Sequence, residues 1–161
     1  MPALKARVFH TVFDLINLMA LGNLPPILAV AAIIERNGSI LFIDRSDGLG
    51  LSFPGGIVKW NETCKAAARR EVHEETGYEI VITGLVGVYS DLKRDPRFRC
   101  VEIVYASVVV AGNGRSSREG QIDWIPKTSL PRVLGFDHQH VIGDYLKNGA
   151  CRCHAALAED L

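Results

Sequence analysis

The sequence predicts an α+β fold: strand-like runs, one polar-faced helix, further strands and a closing helix. Three observations carry that expectation. Asn37-Gly38 separates two apolar runs, the strongest short-range hairpin signal. Val101–Val110 is a long β-branched run, as strands prefer. Between them, a segment bracketed by Gly55-Gly56 and Gly77 carries helical spacing and a threonine start signal. At 161 residues the chain suits one domain with a substantial core.

The elements follow in chain order. Residues 4–21 read as an amphipathic helix, with Phe9, Phe13, Ile16 and Ala20 at helical spacing beside Val8, Val12, Leu15 and Met19. Its apolar arc is wide, so it is expected to pack on the domain or on a second subunit. Gly22-Asn23 and Pro25-Pro26 stop it. This gives a division into 1–24, helix and linker, and 25–161, the main domain. Ile27–Glu35 and Ser39–Arg45 form the expected hairpin, Leu51–Phe53 leads into Pro54-Gly55-Gly56, and Ile57–Lys59 is a short strand. A helix is expected from about Thr63 to Thr76, capped by Asn61 or Thr63. Glu79–Tyr89 is a strand bent around Gly84 and Gly87. The charged loop Ser90–Arg99, the strand Val101–Val110, a loop at Gly112–Gly120, the strand Ile122–Ile125 and a helix over Phe136–Lys147 complete the chain.

Composition removes several function classes. Formal net charge is zero, so no global field favours nucleic acid or a membrane surface. A span over Leu15–Ile34 would contain Asn17, Asn23 and the Pro25-Pro26 pair, and is rejected. The cysteines at 64, 100, 151 and 153 form no C-x-x-C pair, and Cys151-Arg-Cys153-His154 is a poor zinc motif. Free thiols place the chain in the cytoplasm by expectation.

The most informative segment is Arg70-Glu71-Val72-His73-Glu74-Glu75. At about 100° per residue, Glu71, Glu74 and Glu75 share one helical face, where like charges repel. They also precede Gly77, at the helix end whose dipole disfavours negative charge. A divalent cation offsets that repulsion, and hard oxygen ligands suit Mg²⁺, with Mn²⁺ the alternative. A solvated acidic face is the competing reading, and the flanking residues decide between them. Gly56, Glu62, Arg70, Glu71, Val72, Glu74, Glu75 and Gly77 match G-x5-E-x7-R-E-U-x-E-E-x-G-U, where U is apolar. On these positions the chain resembles the Nudix hydrolase (MutT-like) family. Tyr78 stands where that family usually has an aliphatic residue.

The resemblance implies an α/β/α sandwich with mixed sheets from about Ile27 onward, the first helix lying outside it. It also implies hydrolysis of a nucleoside diphosphate linked to another moiety, with Glu71 and Glu75 as the principal metal ligands. Glu74 becomes a further ligand or a water-activating base, and the carbonyl of Gly55 or Gly56 another oxygen. Arg70 is implied to orient the acids together with Glu62. The catalytic base varies within the family and sometimes comes from a later loop. Glu119 and Asp123 are the candidates here, against their reading as surface acids.

Two downstream segments bear on the substrate. Asp91–Arg97 resembles the D-P-x-R-D-P-R loop of ADP-ribose pyrophosphatases, and Leu134-Gly-Phe-Asp-His138 their L-A-F-D-H segment, although Phe98-Arg99 replaces a common Gly-His. Arg94 and Arg97 suit phosphate contacts, and Phe98, Tyr89 or Phe53 suits stacking on a base. The leading expectation is therefore a pyrophosphatase for ADP-ribose or a related nucleotide sugar. A housecleaning nucleoside triphosphate pyrophosphohydrolase, acting on oxidised nucleotides among others, and a non-catalytic nucleotide sensor are the alternatives. The expected partner is a small nucleotide, with a homodimer suggested by the apolar first helix and the frequency of dimers in the family.

Overall fold

The computed structural model describes residues 2–151, with side chains from Thr11 onward. Val8 and Phe9 therefore enter only as backbone, and Cys153 and His154 lie outside the described residues. The order is α1 (Pro2–Met19), β1 (Ile27–Arg36), β2 (Ser39–Arg45), β3 (Leu51–Ser52), β4 (Gly55–Ile57), α2 (Cys64–Thr76), β5 (Tyr78–Tyr89), β6 (Cys100–Gly112), β7 (Gly120–Pro126) and α3 (His138–Asn148), with a 3₁₀ turn at Lys127–Ser129.

β1 sits at the centre. It pairs parallel with β6 along Ile27–Ile34 and antiparallel with β4, and β5 completes that side by pairing antiparallel with β6. On the other side β2 runs antiparallel to both β3 and β7. The two groups of strands join through the β1–β2 hairpin, where Asn37 and Gly38 take φ of 52° and 76°. Those left-handed values are what a tight hairpin turn demands, and Asn-Gly supplies them at low cost.

Alternation along β1 builds the sandwich. Val30, Ala32 and Ile34 face α2, packing with Ala67, Ala68 and Val72. Ala31 and Ile33 face the opposite way, meeting Val141 and Ile142 of α3 together with Phe42, Phe53 and Leu134. Buried on both faces, β1 reads as an unbroken apolar run rather than an alternating one. Small Ala67 and Ala68 let α2 lie close to the sheet and carry its last turn over β4.

Local signals set the helix ends. Of the two expected caps, Thr63 is the one used: its Oγ1 accepts from Ala66 N–H at 3.2 Å. Gly77 closes α2 at φ 71°, donating its N–H to His73 O. α3 starts two residues later than expected because Phe136 has φ 57°, which a right-handed helix cannot include. β5 carries the expected irregularities beside Gly84 and Gly87, and at its bulge Leu85 exchanges backbone hydrogen bonds with Cys151. α1 touches the domain through Phe13, whose ring lies 5.7 Å from Phe98, while Leu15, Leu18 and Met19 stay exposed. No helix among the described residues is long and apolar enough to cross a membrane.

Candidate active site

α2 and β4 bring the acidic turn against the Gly55-Gly56 backbone. Gly56 lies so close to Glu71 that a Cβ there would meet the carboxylate at 2.6 Å. Only glycine permits that approach. Gly55 N–H donates to Glu75 Oε2 at 2.8 Å. Arg70 organises the rest of the turn. It makes two bonds to Glu62, Nε–Oε2 at 2.9 Å and Nη2–Oε1 at 2.6 Å. It also reaches Glu71 at 2.7 Å, Glu74 at 3.3 Å and the Ile57 carbonyl at 3.2 Å. The Arg70 hydrogen bonds come first among the causes that hold the Glu62 carboxyl down to about 2.

Glu75 is different. It is 2% exposed, and the Glu119 carboxyl, just before β7, bears on it electrostatically. Burial, and then the Glu119 carboxyl, push its pKa well above the usual carboxylate range. Burial likewise raises Glu71, against the pull of Arg70. The described structure thus holds more acidic groups at Gly55-Gly56 than Arg70 can neutralise. That donor set fits a hard divalent cation held by Glu71 and Glu75, with backbone oxygen at Gly55-Gly56 beside them. Glu74 lies nearer solvent, its side chain 53% exposed.

Beside this turn a cleft is lined by Arg45, Phe53, Gly55, Gly56, Arg97, Phe98 and Phe136. Arg97 is held by Asp95 in a two-point ion pair and lies over both Phe98 and Phe136, 5.0 and 5.1 Å from their ring centroids. Arg45, paired with Asp47, covers Phe136 at 5.4 Å. Phe136 holds its left-handed backbone between these two guanidiniums, a conformation a non-glycine residue adopts only when its surroundings impose it. Sequence reasoning missed Arg45 and Phe136. The positive φ has no local signature, and Arg45 reaches Glu75 and Glu119 only through the β2–β7 register, in which Arg45 opposes Gly120.

Two of the expected substrate contacts are largely engaged within the protein, although Arg94 borders the cleft. Arg94 is 5% exposed and its guanidinium is fully engaged inside the protein, by Glu102 at 2.6 Å, Asp137 at 2.7 Å and Cys100 Sγ at 3.1 Å. Tyr89 faces the α3 core instead of the cleft, with its hydroxyl donating to Asp144. Phe53, Arg97 and Phe98 do line the cleft, although Phe53 is buried by stacking on Phe42 at 5.1 Å. Of the two later acids, Glu119 reaches the carboxylate turn, whereas Asp123 is exposed in mid-strand opposite Phe42.

Glu102, Asp137 and His138 also have ligand atoms within 4.8 Å of one another. Arg94 already occupies that cluster. His138 Nδ1 accepts from Phe53 N–H at 3.1 Å, and its Nε2 lies 3.3 Å from Glu102 Oε2. The cluster is an internal ion network and not a metal centre.

The family model described as NUDIX domain matches residues 25–143. The chain belongs to the Nudix family. As a Nudix protein it is a hydrolase of phosphoanhydride bonds. It is 37% identical over 132 residues to the ADP-ribose pyrophosphatase of Methanocaldococcus jannaschii, covering 78% of each chain. A shorter stretch of 57 residues is 47% identical to the CTP pyrophosphohydrolase of Escherichia coli, covering 33% of this chain and 42% of that one. The fold is shared with a crystal structure of an ADP-ribose pyrophosphatase from Streptococcus suis, at a TM-score of 0.67 and 23% identity, covering 80% of this chain and 96% of the other.

Proposed function

We propose that this Nudix hydrolase cleaves the diphosphate of ADP-ribose or a related nucleotide sugar. The observation that carries the reading is the surplus of acidic groups at Glu71, Glu75 and Glu119 beside a cleft walled by Arg45 and Arg97. Similarity to the M. jannaschii ADP-ribose pyrophosphatase supports the choice of substrate.

Glu71 and Glu75, with Glu74 and the Gly56 carbonyl, would hold Mg²⁺, which would neutralise charge on the diphosphate and acidify water. Mn²⁺ suits the same oxygens. Arg70, tied to Glu62, keeps Glu71 and Glu74 oriented. Glu119, whose carboxyl bears on Glu75, is the proposed acceptor of the attacking water's proton. Arg97 and Arg45 approach the phosphates. Residues 25–161 form the catalytic domain in this reading, with 1–24 appended to it. The free thiols at Cys64 and Cys100 agree with a cytoplasmic setting.

The second reading is a nucleoside triphosphate pyrophosphohydrolase, favoured by the stretch shared with the E. coli CTP pyrophosphohydrolase. A nucleotide panel with product identification separates the two. AMP plus a sugar phosphate supports the first; a nucleoside monophosphate plus pyrophosphate supports the second. No cleavage of any member with Mg²⁺ or Mn²⁺ overturns both, and equal nucleotide binding by inactive wild type and Glu75→Gln then favours a sensor.

A further inference from the structure

The larger cavity beside the cleft lies between α1 and the 92–99 loop and belongs partly to a helix that the NUDIX match does not include. Its volume is about 420 Å³, within the range of ligand pockets of roughly 300–1,000 Å³. The cleft at Gly55-Gly56 holds only about 50 Å³, too little for a whole nucleotide sugar. The two spaces share Asp95 and Phe98, so a molecule whose diphosphate sits at the acidic turn can continue past Phe98 towards α1.

The lining selects the chemistry. Asp14 brings a carboxylate and Asn17 a side-chain amide, whose Oδ1 accepts from Leu24 N–H, and such groups pair with hydroxyls. Phe13 and Phe98, 5.7 Å apart, offer rings against which the C–H face of a sugar packs. Charge argues the same way. Arg99 is the one cation among the described lining residues, which also carry Asp14 and Asp95, the latter paired with Arg97. A third phosphate finds no matching cations there.

We infer that α1 completes the enzyme's second subsite, a pocket for the uncharged, hydroxyl-rich group beyond the diphosphate, and so sets its preference for nucleotide sugars. The inference rests on the diphosphate chemistry proposed above and adds a specificity determinant outside the matched domain.

The test compares ADP-ribose with the methyl ester of ADP, which keeps the diphosphate but has no sugar to place in the pocket. Leu92→Trp fills the cavity from an exposed position, and Phe13→Ala removes one of its rings. Each variant is expected to raise KM for ADP-ribose roughly tenfold or more while leaving the methyl ester within about twofold of wild type. Unchanged KM for ADP-ribose in both variants overturns the subsite and leaves the proposed reaction standing. An equal loss on both substrates also overturns it, since the effect is then not on the sugar. A wild type that hydrolyses neither compound overturns the proposed reaction, and the subsite with it.

Discussion

Two clusters of acidic side chains lie beside the same cleft, one carried by β6 and the start of α3 and the other by the end of α2, and they do opposite things. Around Arg94, the carboxylates of Glu102 and Asp137 meet a buried guanidinium, with His138 closing the group. Burial opposes the ionisation of Glu102, yet His138 and Arg94 outweigh it and hold its pKa below the ordinary value. At the end of α2, Arg70 serves Glu62, Glu71 and Glu74, and Glu75 is left with one backbone N–H, another carboxyl and Arg45, whose guanidinium is already paired with Asp47. There burial wins and the pKa rises. The lesson is that carboxylate density does not mark a metal site. What marks it is acid left over after every internal cation has been counted.

That contrast can be broken at either cluster. The largest effect is expected from Glu75→Gln, which keeps the shape and removes the surplus charge. kcat should fall on the order of 10³-fold, as for loss of a central electrostatic contact, while circular dichroism stays native. Calorimetric titration with Mn²⁺ should show weakened binding, and undiminished affinity would remove Glu75 from the ligand set.

Arg94→Ala is expected to act on stability instead. Leaving Glu102 buried without its partner should cost about 3–5 kcal/mol in urea unfolding, with Mn²⁺ affinity unchanged in the folded fraction. A loss of metal binding at native stability would reverse the assignment of the two clusters.

Glu119→Gln sharpens the comparison within the acidic turn. A general base predicts a fall of about 10²-fold in kcat with little change in KM. A variant at wild-type kcat would return Glu119 to the status of a surface acid.

Metal provides a reversible form of the same test. Mg²⁺ at about a hundred times its dissociation constant should stabilise the wild type by about 2.7 kcal/mol. Chelation should remove both that gain and turnover. Glu75→Gln should gain little, whereas Arg94→Ala should gain as much as wild type.

The smallest effect expected is on pH dependence. Because the folded pKa of Glu102 lies below its unfolded value of 4.5, its contribution to stability is complete above 4.5. It is lost as pH falls below that value and through the folded pKa. Glu102→Gln should flatten the stability profile in this acid window and leave its shape above pH 5.5 or so unchanged. A profile as steep as wild type would show that Glu102 is not held in its ionised form by the network.

Much of the fold was legible along the chain, because its signals are local. Asn37-Gly38 supplies the hairpin φ values, Thr63 caps α2, and Gly77 ends it. The box residues are legible for the same reason: Glu71, Glu74 and Glu75 share a face by helix geometry alone, and Arg70 reaches back to Glu62 within one segment. Arg94 and Arg97 looked equivalent in the charged loop, and nothing nearby distinguishes them. They separate only because Arg94 points inward to Glu102 on β6 and Asp137 before α3, while Arg97 stays in the cleft with Asp95.

The sequence by itself determined the elements, the acidic turn and the class of chemistry, since each depends on spacings within a few helical turns or one hairpin. Tertiary structure alone decided which acids are in surplus, that Glu119 reaches Glu75 through the β2–β7 register, that Phe136 lies between Arg45 and Arg97, and that α1 walls a pocket beside Phe98. The physical reason is that ionisation, burial and pocket shape depend on what lies within a few ångströms, and in a mixed sheet those neighbours come from strands far apart in the chain.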